Sequence, residues 1–216
     1  MAADISAITT IYAHAVRHGT ATFEIEAPGE NEMTDRFRAL TEAGFPYLVA
    51  EYDGEVRGYA YAGLYRTRVG YRYTLEDSIY VDPNCQGRGI GRALIDDLLS
   101  QATGRGFRQM IAIIGDSEQA ASIALHRAAG FQIVGTFAAV GFKFGRYGAD
   151  ATPAWARCKN TALARHEAER SINCPQHAIK FMSVPNDQAR CGNHAVDSLS
   201  PGERWIFFDA VYWHLG

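Results

Sequence analysis

The sequence lacks the long apolar stretches of membrane-inserted and secreted proteins. No apolar run among its 216 residues approaches the roughly 18 residues that a membrane-spanning helix needs. The first residues, Met1 to Asp4, do not join a basic stretch to an apolar one, so we expect no signal peptide. Both absences favour a cytoplasmic protein.

The sequence also lacks an excess of charge of either sign. Its 21 basic and 24 acidic residues give a net charge of −3 at pH 7. Nucleic acids and anionic membranes attract proteins through clustered positive charge, so we expect neither as a partner. The hydrophobic share of 47% is ordinary for a globular protein that buries a core.

Cysteine is scarce, and three of the four cysteines lie in the last third of the chain. In a cytosolic protein these are expected to be free thiols. The four are Cys85, Cys158, Cys174 and Cys191.

Two of these cysteines belong to a repeated Cys-x-x-His spacing, Cys174 with His177 and Cys191 with His194. Two such pairs could bind zinc tetrahedrally. The spacing matches no familiar zinc finger and the segment lacks a core, so unstructured or accidental sequence is favoured and no metal is expected.

Hydrophobic periodicity predicts paired strands first and then strands that alternate with helices. Apolar residues at helical spacing predict helices over 5–17, 31–43, 89–103 and 118–129. Apolar runs predict strands over Tyr47–Tyr52, Val56–Tyr65, Tyr71–Val81, Met110–Ile114 and Gln132–Phe144. Asp53-Gly54 predicts a tight hairpin between the first two strands. The fold class is therefore α/β (α+β), a mixed sheet covered by helices.

The most informative stretch is a strand that runs into the turn Gln86-Gly87-Arg88-Gly89-Ile90-Gly91, which opens a helix. Such a turn presents consecutive N–H groups at the positive end of a helix dipole, and glycine lets the backbone approach an anion closely. We interpret it as a diphosphate cradle to which Arg88 and Arg92 add charge. The spacing is neither a Walker loop nor a dinucleotide fingerprint. The alternative is a tight turn whose glycines serve packing.

Several motifs in the same order resemble the GNAT superfamily of N-acetyltransferases, and within it the phosphinothricin and methionine sulfoximine N-acetyltransferases. The resemblance extends over about residues 5–146. The motifs that carry it are Ile11–Val16, Thr22-Phe23-Glu24, Tyr59–Gly63, Tyr73–Val81, the glycine turn, Ser122–His126, Gly130-Phe131 and Val140–Arg146.

The resemblance implies a GNAT fold with a splayed strand pair and acetyl-CoA as co-substrate. It implies that the pantetheine arm pairs with the backbone of Ile79 and Val81, and that Gly87 to Arg92 hold the diphosphate. The cofactor-binding residues that it implies are Ile79, Tyr80, Val81, Gln86, Gly87, Arg88, Gly89, Ile90, Gly91, Arg92, Gln119 and Ser122.

In acetyl transfer to an amine, a base must take a proton from the ammonium, the thioester carbonyl oxygen must be polarised, and the thiolate must leave. The resemblance places Glu76 as the base and the Val81 amide as the carbonyl polariser. Burial beside Tyr73 and Leu75 would raise the pKa of Glu76. The resemblance places His126 near the sulfur, where it could protonate the thiolate or act as the base itself. The alternatives are a surface carboxylate and a packed helix histidine.

An arginine-rich stretch precedes Glu76 and could bind a substrate carboxylate, since arginine is a planar bidentate donor. The alternative is a solvated basic loop. Phe23 could wall the pocket or belong to the core. The substrate-binding candidates are Phe23, Arg66, Thr67, Arg68, Arg72, Glu76, Asp77 and Ser78.

The chain departs from the family pattern at both ends. The strand that usually precedes the first helix is missing, and Gln119 replaces an asparagine that contacts the cofactor. After residue 146 comes a polar stretch, with a possible short helix over 161–170, and then the aromatic run Trp205–Trp213. We expect residues 1–146 to form the acetyltransferase domain, 147–204 to loop out as an insertion, and 205–216 to hold a final strand, 206–213. That strand would lie between Met110–Ile114 and the strand after it. The alternative is a frameshifted or fused tail that does not fold.

The expected function is acetyl-CoA-dependent N-acetylation of a small amino-acid-like substrate by direct transfer in a ternary complex. Phosphinothricin, methionine sulfoximine and methionine sulfone are the expected kinds of acceptor. The alternatives are another amine, such as a peptide N-terminus or a polyamine, and a non-catalytic acyl-CoA-binding module. By resemblance we expect a homodimer, which the edge left by the missing first strand also favours.

Overall fold

The described part of the chain forms a mixed seven-stranded sheet with helices on both faces and a separate short hairpin. The computed structural model describes residues 4–115, 117–137, 139–147, 152–158 and 180–183. The helices are α1 (Ile5–His18), α2 (Glu30–Glu42), α3 (Ile90–Gly104) and α4 (Ala120–Ala128). The strands are β1 (Tyr47–Tyr52), β2 (Glu55–Leu64), β3 (Thr74–Val81), β4 (Gln109–Ile113), β5 (Gln132–Phe137), β6 (Phe142–Lys143), β7 (Arg146–Tyr147), β8 (Thr152–Cys158) and β9 (Lys180–Ser183).

The strand order of the large sheet is β5-β8-β4-β3-β2-β1-β9, and β6 pairs with β7. The four helices predicted over 5–17, 31–43, 89–103 and 118–129 are present, with both ends of each within two residues of the prediction. None of the described helices is long and apolar enough to cross a membrane.

The sheet has a hydrophobic core on each face. One core joins Leu75 and Met110 of the sheet to the apolar stripe of α3, including Leu94 and Leu98. The other joins α1 to tyrosines of β1, β2 and β3. Because side chains of a strand alternate between faces, neighbouring residues of β3 enter opposite cores.

The turn between β1 and β2 matches the sequence signal. Asp53 and Gly54 have φ values of 53° and 77°. Two consecutive left-handed residues give a type I′ turn, whose twist suits a tight antiparallel hairpin.

Two predicted strands are shorter than expected. Residues Val69–Tyr71 form a short 3₁₀ turn closed by a hydrogen bond from the Tyr71 N–H to the Arg68 carbonyl, so β3 begins at Thr74 instead of Tyr71. The predicted strand Gln132–Phe144 ends at Phe137, and β6 pairs with β7. Left-handed φ values at Phe144 (55°) and Gly145 (74°) reverse the chain there.

The sheet opens between β3 and β4. The two strands pair in parallel through Thr74 with Gln109, Leu75 with Met110, and Glu76 with Ile111. Strand β3 continues to Val81, still paired with β2. Beyond Glu76, no described strand pairs with the edge of β3 that faces β4, so among the described residues this edge is open to another molecule.

The strand between β4 and β5 is β8, which pairs antiparallel with both. The prediction that a strand fills this slot is confirmed, but the prediction that 206–213 is that strand is wrong. The segment over 147–204 therefore does not loop out as a whole. Residues 206–213 and the predicted helix 161–170 lie outside the described residues, as do Cys174, His177, Cys191 and His194.

The edge of β1 is covered by β9, which pairs with Leu48–Glu51. The expectation that this edge is unpaired is therefore wrong. A late segment of the chain covers this edge of the sheet and satisfies backbone groups that would otherwise promote association.

Candidate active site

A cleft of about 590 Å³ lies at the point where β3 and β4 separate. It brings together β3, β4, the start of α4 and the connector between α1 and α2. The residues that line it are Ala21, Glu76, Asp77, Ser78, Ile79, Tyr80, Ala112, Ile113, Ile114, Gly115, Gln119, Ser122 and His126.

Glu76 and Asp77 point to opposite faces of β3 because they are adjacent on a strand. Asp77 contacts His126 of α4. Glu76 shares its face with Ser78 and Tyr80, and Tyr80 belongs to the core under α1. The cleft therefore presents one acidic side chain to each side of the sheet.

Glu76 has the environment of a general base. Burial raises its pKa to about 8, the nearby Asp77 carboxylate adds to the rise, and Arg66 opposes it. A carboxyl group that titrates near neutral pH can take a proton from a substrate ammonium and release it again.

His126 and Asp77 form a buried ion pair. The Nε2 atom of His126 lies 3.0 Å from Oδ2 of Asp77, and Nδ1 lies 2.8 Å from the Ser122 carbonyl oxygen. A carbonyl oxygen and a carboxylate both accept hydrogen bonds, so these two partners favour the form of the ring in which both nitrogens are protonated. Burial by itself would lower the pKa of His126, but the hydrogen bond and charge of Asp77 and the Ser122 carbonyl raise it. This arrangement disfavours His126 as the base, because its proton sites are already filled.

Asp77 also has a free acceptor in the cleft. Its side chain is 1% exposed, and its Oδ1 atom has no hydrogen-bond partner among the described residues. A buried carboxylate oxygen without a partner indicates a place for a ligand donor or a proton.

The arginine-rich stretch lies at the surface beside the cleft. Arg66, Arg68 and Arg72 are exposed, and no salt bridge joins them to a described residue. Arg66 and Arg72 each cover a neighbouring tyrosine ring, Tyr65 and Tyr73 respectively. Arg66 is the arginine whose charge reaches Glu76. An exposed guanidinium group near a base, such as that of Arg66, is suited to binding a substrate carboxylate.

The glycine turn has the backbone form that the cradle interpretation requires at two positions. Gly87 and Gly89 have φ values of 74° and 82°, and an added Cβ would meet no atom within 4 Å at either. Gly89 directly precedes α3, so its open side faces the positive end of the helix. At Gly91, by contrast, a Cβ would lie 3.3 Å from Leu125 Cδ2, so this glycine lets α3 and α4 pack closely.

The two arginines predicted to bind the cofactor have hydrogen-bond partners within the protein. Arg88 donates to the Tyr52 hydroxyl at 3.3 Å. Arg92 donates to Asp96 at 2.6 Å and to the Ala128 carbonyl at 3.0 Å, which ties it to the end of α4. The Tyr80 ring is buried. The structure therefore presents the backbone of β3 and of the glycine turn to a cofactor more directly than these side chains.

The sequence interpretation placed Phe23 as a possible wall of the pocket, but it missed Thr20 and Ala21 of the same α1–α2 connector. Gln119 donates from Nε2 to the Thr20 hydroxyl at 3.0 Å. Phe23 packs on the backbone of Gly141 and is half-buried. Ala21 and Gly115 line the cleft, and Lys143 holds the connector from behind. The sequence contains a signal for this buried cation that the interpretation did not use: the charged Lys143 stands between Phe142 and Phe144.

Comparison with known proteins identifies the family. Residues 9–131 match the acetyltransferase (GNAT) family. The chain belongs to this family. It is 52% identical over 144 residues to the phosphinothricin N-acetyltransferase of Alcaligenes faecalis, covering 67% of this chain and 73% of the relative. It is 42% identical over 145 residues to the L-methionine sulfoximine/L-methionine sulfone acetyltransferase of Salmonella typhimurium, covering 67% and 84%.

A solved GNAT structure confirms the fold. The crystal structure of a GNAT superfamily phosphinothricin acetyltransferase from Sinorhizobium meliloti, in complex with acetyl-CoA, superposes with a TM-score of 0.70 and 45% identity. It covers 79% of this chain and 91% of that one. The predicted fold class, acyltransferase activity and acetyl-CoA co-substrate are thereby confirmed. The roles of individual residues stay predictions.

The described residues contain no group of three or more histidine, cysteine and acidic side chains that could hold a metal ion.

Proposed function

We propose that this GNAT acetyltransferase acetylates the α-amino group of a compact amino acid of the phosphinothricin, methionine sulfoximine or methionine sulfone type. The observation that carries the proposal is the half-buried Glu76 of the cleft, whose pKa is raised to about 8 and on which the charge of the exposed Arg66 acts. An α-amino acid carries an ammonium for the base and a carboxylate for an arginine. Relatives that act on such acceptors support the assignment.

The proposed reaction is direct transfer in a ternary complex. Glu76, directly or through a water molecule, takes a proton from the substrate ammonium. The freed amine nitrogen attacks the thioester carbonyl carbon, the new C–N bond forms, the C–S bond breaks, and the thiolate leaves with a proton. The Val81 amide donates to the carbonyl oxygen, since the open edge of β3 has no strand partner there.

The Asp77–His126 pair holds a proton on the face of β3 opposite Glu76. In the proposed mechanism the pair supplies this proton to the departing thiolate, while Glu76 receives the proton of the amine. Two groups with separate protons at opposite faces allow both transfers in one turnover.

The arginines also discriminate between the candidate acceptors. A polyamine has no carboxylate and carries like charge toward Arg66, Arg68 and Arg72. A peptide N-terminus has its carboxylate far from the reacting amine. Both are therefore disfavoured as substrates relative to a free amino acid.

Thiol release from acetyl-CoA against a panel of acceptors tests the proposal. The panel contains phosphinothricin, methionine sulfoximine, methionine sulfone, ordinary amino acids, a peptide and a polyamine. Turnover is expected with the first three. Turnover confined to the peptide or the polyamine would reassign the substrate, and calorimetric acetyl-CoA binding without any thiol release would indicate a non-catalytic module.

A further inference from the structure

A buried lysine lies beside the cleft with its ammonium against the α1–α2 connector. Lys143 is 4% exposed, and its Nζ donates to the carbonyl oxygens of Gly19 at 2.9 Å and Thr22 at 2.7 Å. Burial lowers the pKa of Lys143, and the Glu24 carboxylate opposes this effect. Burying an ammonium group costs free energy unless its N–H donors are hydrogen-bonded. The two carbonyl oxygens therefore fix the position of the Lys143 ammonium, and the ammonium in turn fixes the position of residues 19–22.

The connector is held from a second side by the elements that form the cleft. Gln119 at the start of α4 donates to the Thr20 hydroxyl. Gly115 after β4 lies so close that an added Cβ would be 2.0 Å from the Thr20 carbonyl oxygen. Ala21, the next residue, lines the cleft. The connector is therefore the wall of the cleft, clamped between Lys143 on one side and β4–α4 on the other.

Phe23 is positioned by Gly141, which directly precedes the β6–β7 hairpin that carries Lys143. A Cβ at Gly141 would lie 2.1 Å from its ring, and a Cβ at Gly115 would lie 3.4 Å from it. The ring is thus enclosed between two glycine backbones. Gly141 does not have a positive φ, so an alanine there would not strain the backbone. Its Cβ would collide with the Phe23 ring.

We propose that Lys143 is a positioning residue for acceptor binding, which it controls by holding residues 19–22 as the wall of the cleft. The proposal rests on the proposed function. Among the described residues, the Lys143 ammonium contacts the Gly19 and Thr22 carbonyls and the Phe144 ring, and none of these belongs to the base or to the glycine turn. Its loss should therefore affect the acceptor side of the cleft and spare the diphosphate cradle.

The variant Lys143→Met, which keeps the length of the side chain and removes the charge, tests this inference. We expect the acceptor KM to rise about tenfold or more, while the acetyl-CoA Kd stays within about twofold. Hydrogen exchange of the amides of residues 19–24 should be faster than in the wild type. The control is Arg38→Met, which removes an exposed cation from α2 and should change none of these values.

Gly141→Ala is a second variant that moves Phe23 without touching Lys143. We expect it also to raise the acceptor KM and to leave the acetyl-CoA Kd unchanged. An unchanged acceptor KM in Lys143→Met would overturn the proposal, and so would an equal loss of acceptor and acetyl-CoA binding, which indicates a purely structural role.

The proposed function can fail separately. If the wild type releases no thiol with any acceptor, that function is wrong. Exchange at residues 19–24 then decides the inference about Lys143: exchange unchanged by Lys143→Met overturns it, and faster exchange supports it.

Discussion

Glu76 is the residue whose chemistry makes the sharpest prediction. Glu76→Gln keeps the shape of the side chain and removes the base, so kcat should fall by about 100-fold or more. The wild-type kcat should rise with pH and level off above about 8, because burial raises the pKa of Glu76 to about 8 and the base is active when ionised. Rates measured at saturating substrates between pH 6 and 9.5 check this.

The same substitution should change stability in a pH-dependent way. The folded pKa of about 8 exceeds the ordinary value of 4.5, so the stability that the protonated Glu76 contributes is present below pH 4.5 and is lost as pH rises to about 8. Glu76→Gln should therefore melt above the wild type at pH 8 and close to it at pH 4.5. The control Glu42→Gln, at the exposed end of α2, should show neither effect.

The Asp77–His126 pair predicts a second pH dependence. Asp77→Asn removes the charge that raises the pKa of His126 and should destabilise the fold by about 2 kcal/mol. The pair is intact below pH 6.5 and is lost as pH rises through the folded pKa of His126, so the destabilisation should be largest at pH 6 and smaller at pH 9. Urea unfolding across this range measures it.

The matched control for this pair is Asp96→Asn. Asp96 forms an exposed salt bridge with Arg92 on α3, and its loss should cost about 0.5 kcal/mol or less at any pH. A destabilisation by Asp77→Asn that does not vary with pH would contradict the charged pair.

At the scale of the element, the glycine turn before α3 predicts a cofactor phenotype. Gly89 has a φ of 82° and open space where its Cβ would be. Gly89→Val should cost about 1–2 kcal/mol of stability through backbone strain and weaken acetyl-CoA binding by about tenfold or more, since a side chain would fill the diphosphate position. Calorimetry checks the affinity. Gly104→Val, in open space with an ordinary φ at the end of α3, should leave the affinity intact.

At the scale of the whole molecule, β8 predicts different outcomes for two truncations. Ending the chain after Arg146 removes β8 and β9 and leaves β4 and β5 with unpaired edges inside the sheet. We expect this protein to be insoluble, because those backbone groups have no alternative partners. Ending the chain after Cys158 removes β9 from one edge, so we expect a soluble protein that binds acetyl-CoA. A soluble, active protein ending at Arg146 would contradict the pairing of β8.

The predicted homodimer also belongs to this scale. Exposed apolar side chains on β5 and the β6–β7 hairpin include Ile133, Val134, Phe137 and Phe142. Exposed apolar patches favour association, so we expect a dimer mass by light scattering and a monomer for Val134→Lys. Ile25→Lys, at an exposed apolar residue elsewhere, should stay dimeric. A wild-type monomer at micromolar concentration would refute the prediction.

The limits of prediction follow from the range of the interactions. The apolar stripe of α1 and the Asp53-Gly54 turn are encoded within a few residues, and both were predicted. The 3₁₀ turn at Val69–Tyr71 was missed because Tyr71 and Tyr73 have strong strand propensity, while a local hydrogen bond to Arg68 decided otherwise. The final strand was assigned to 206–213 because apolar pattern does not specify which segment fills a slot.

The sequence by itself determined the local parts of this acetyltransferase: the helices, the hairpin turn and the glycine turn that precedes α3. Their signals are short-range periodicity and the backbone freedom of glycine at Gly87 and Gly89. The tertiary structure decided the opening between β3 and β4, the pairing of Asp77 with His126 across 49 residues, and the hold of Lys143 on Thr22 across 121. These contacts depend on burial and on which buried polar group finds a partner, and both are set when the whole sheet closes.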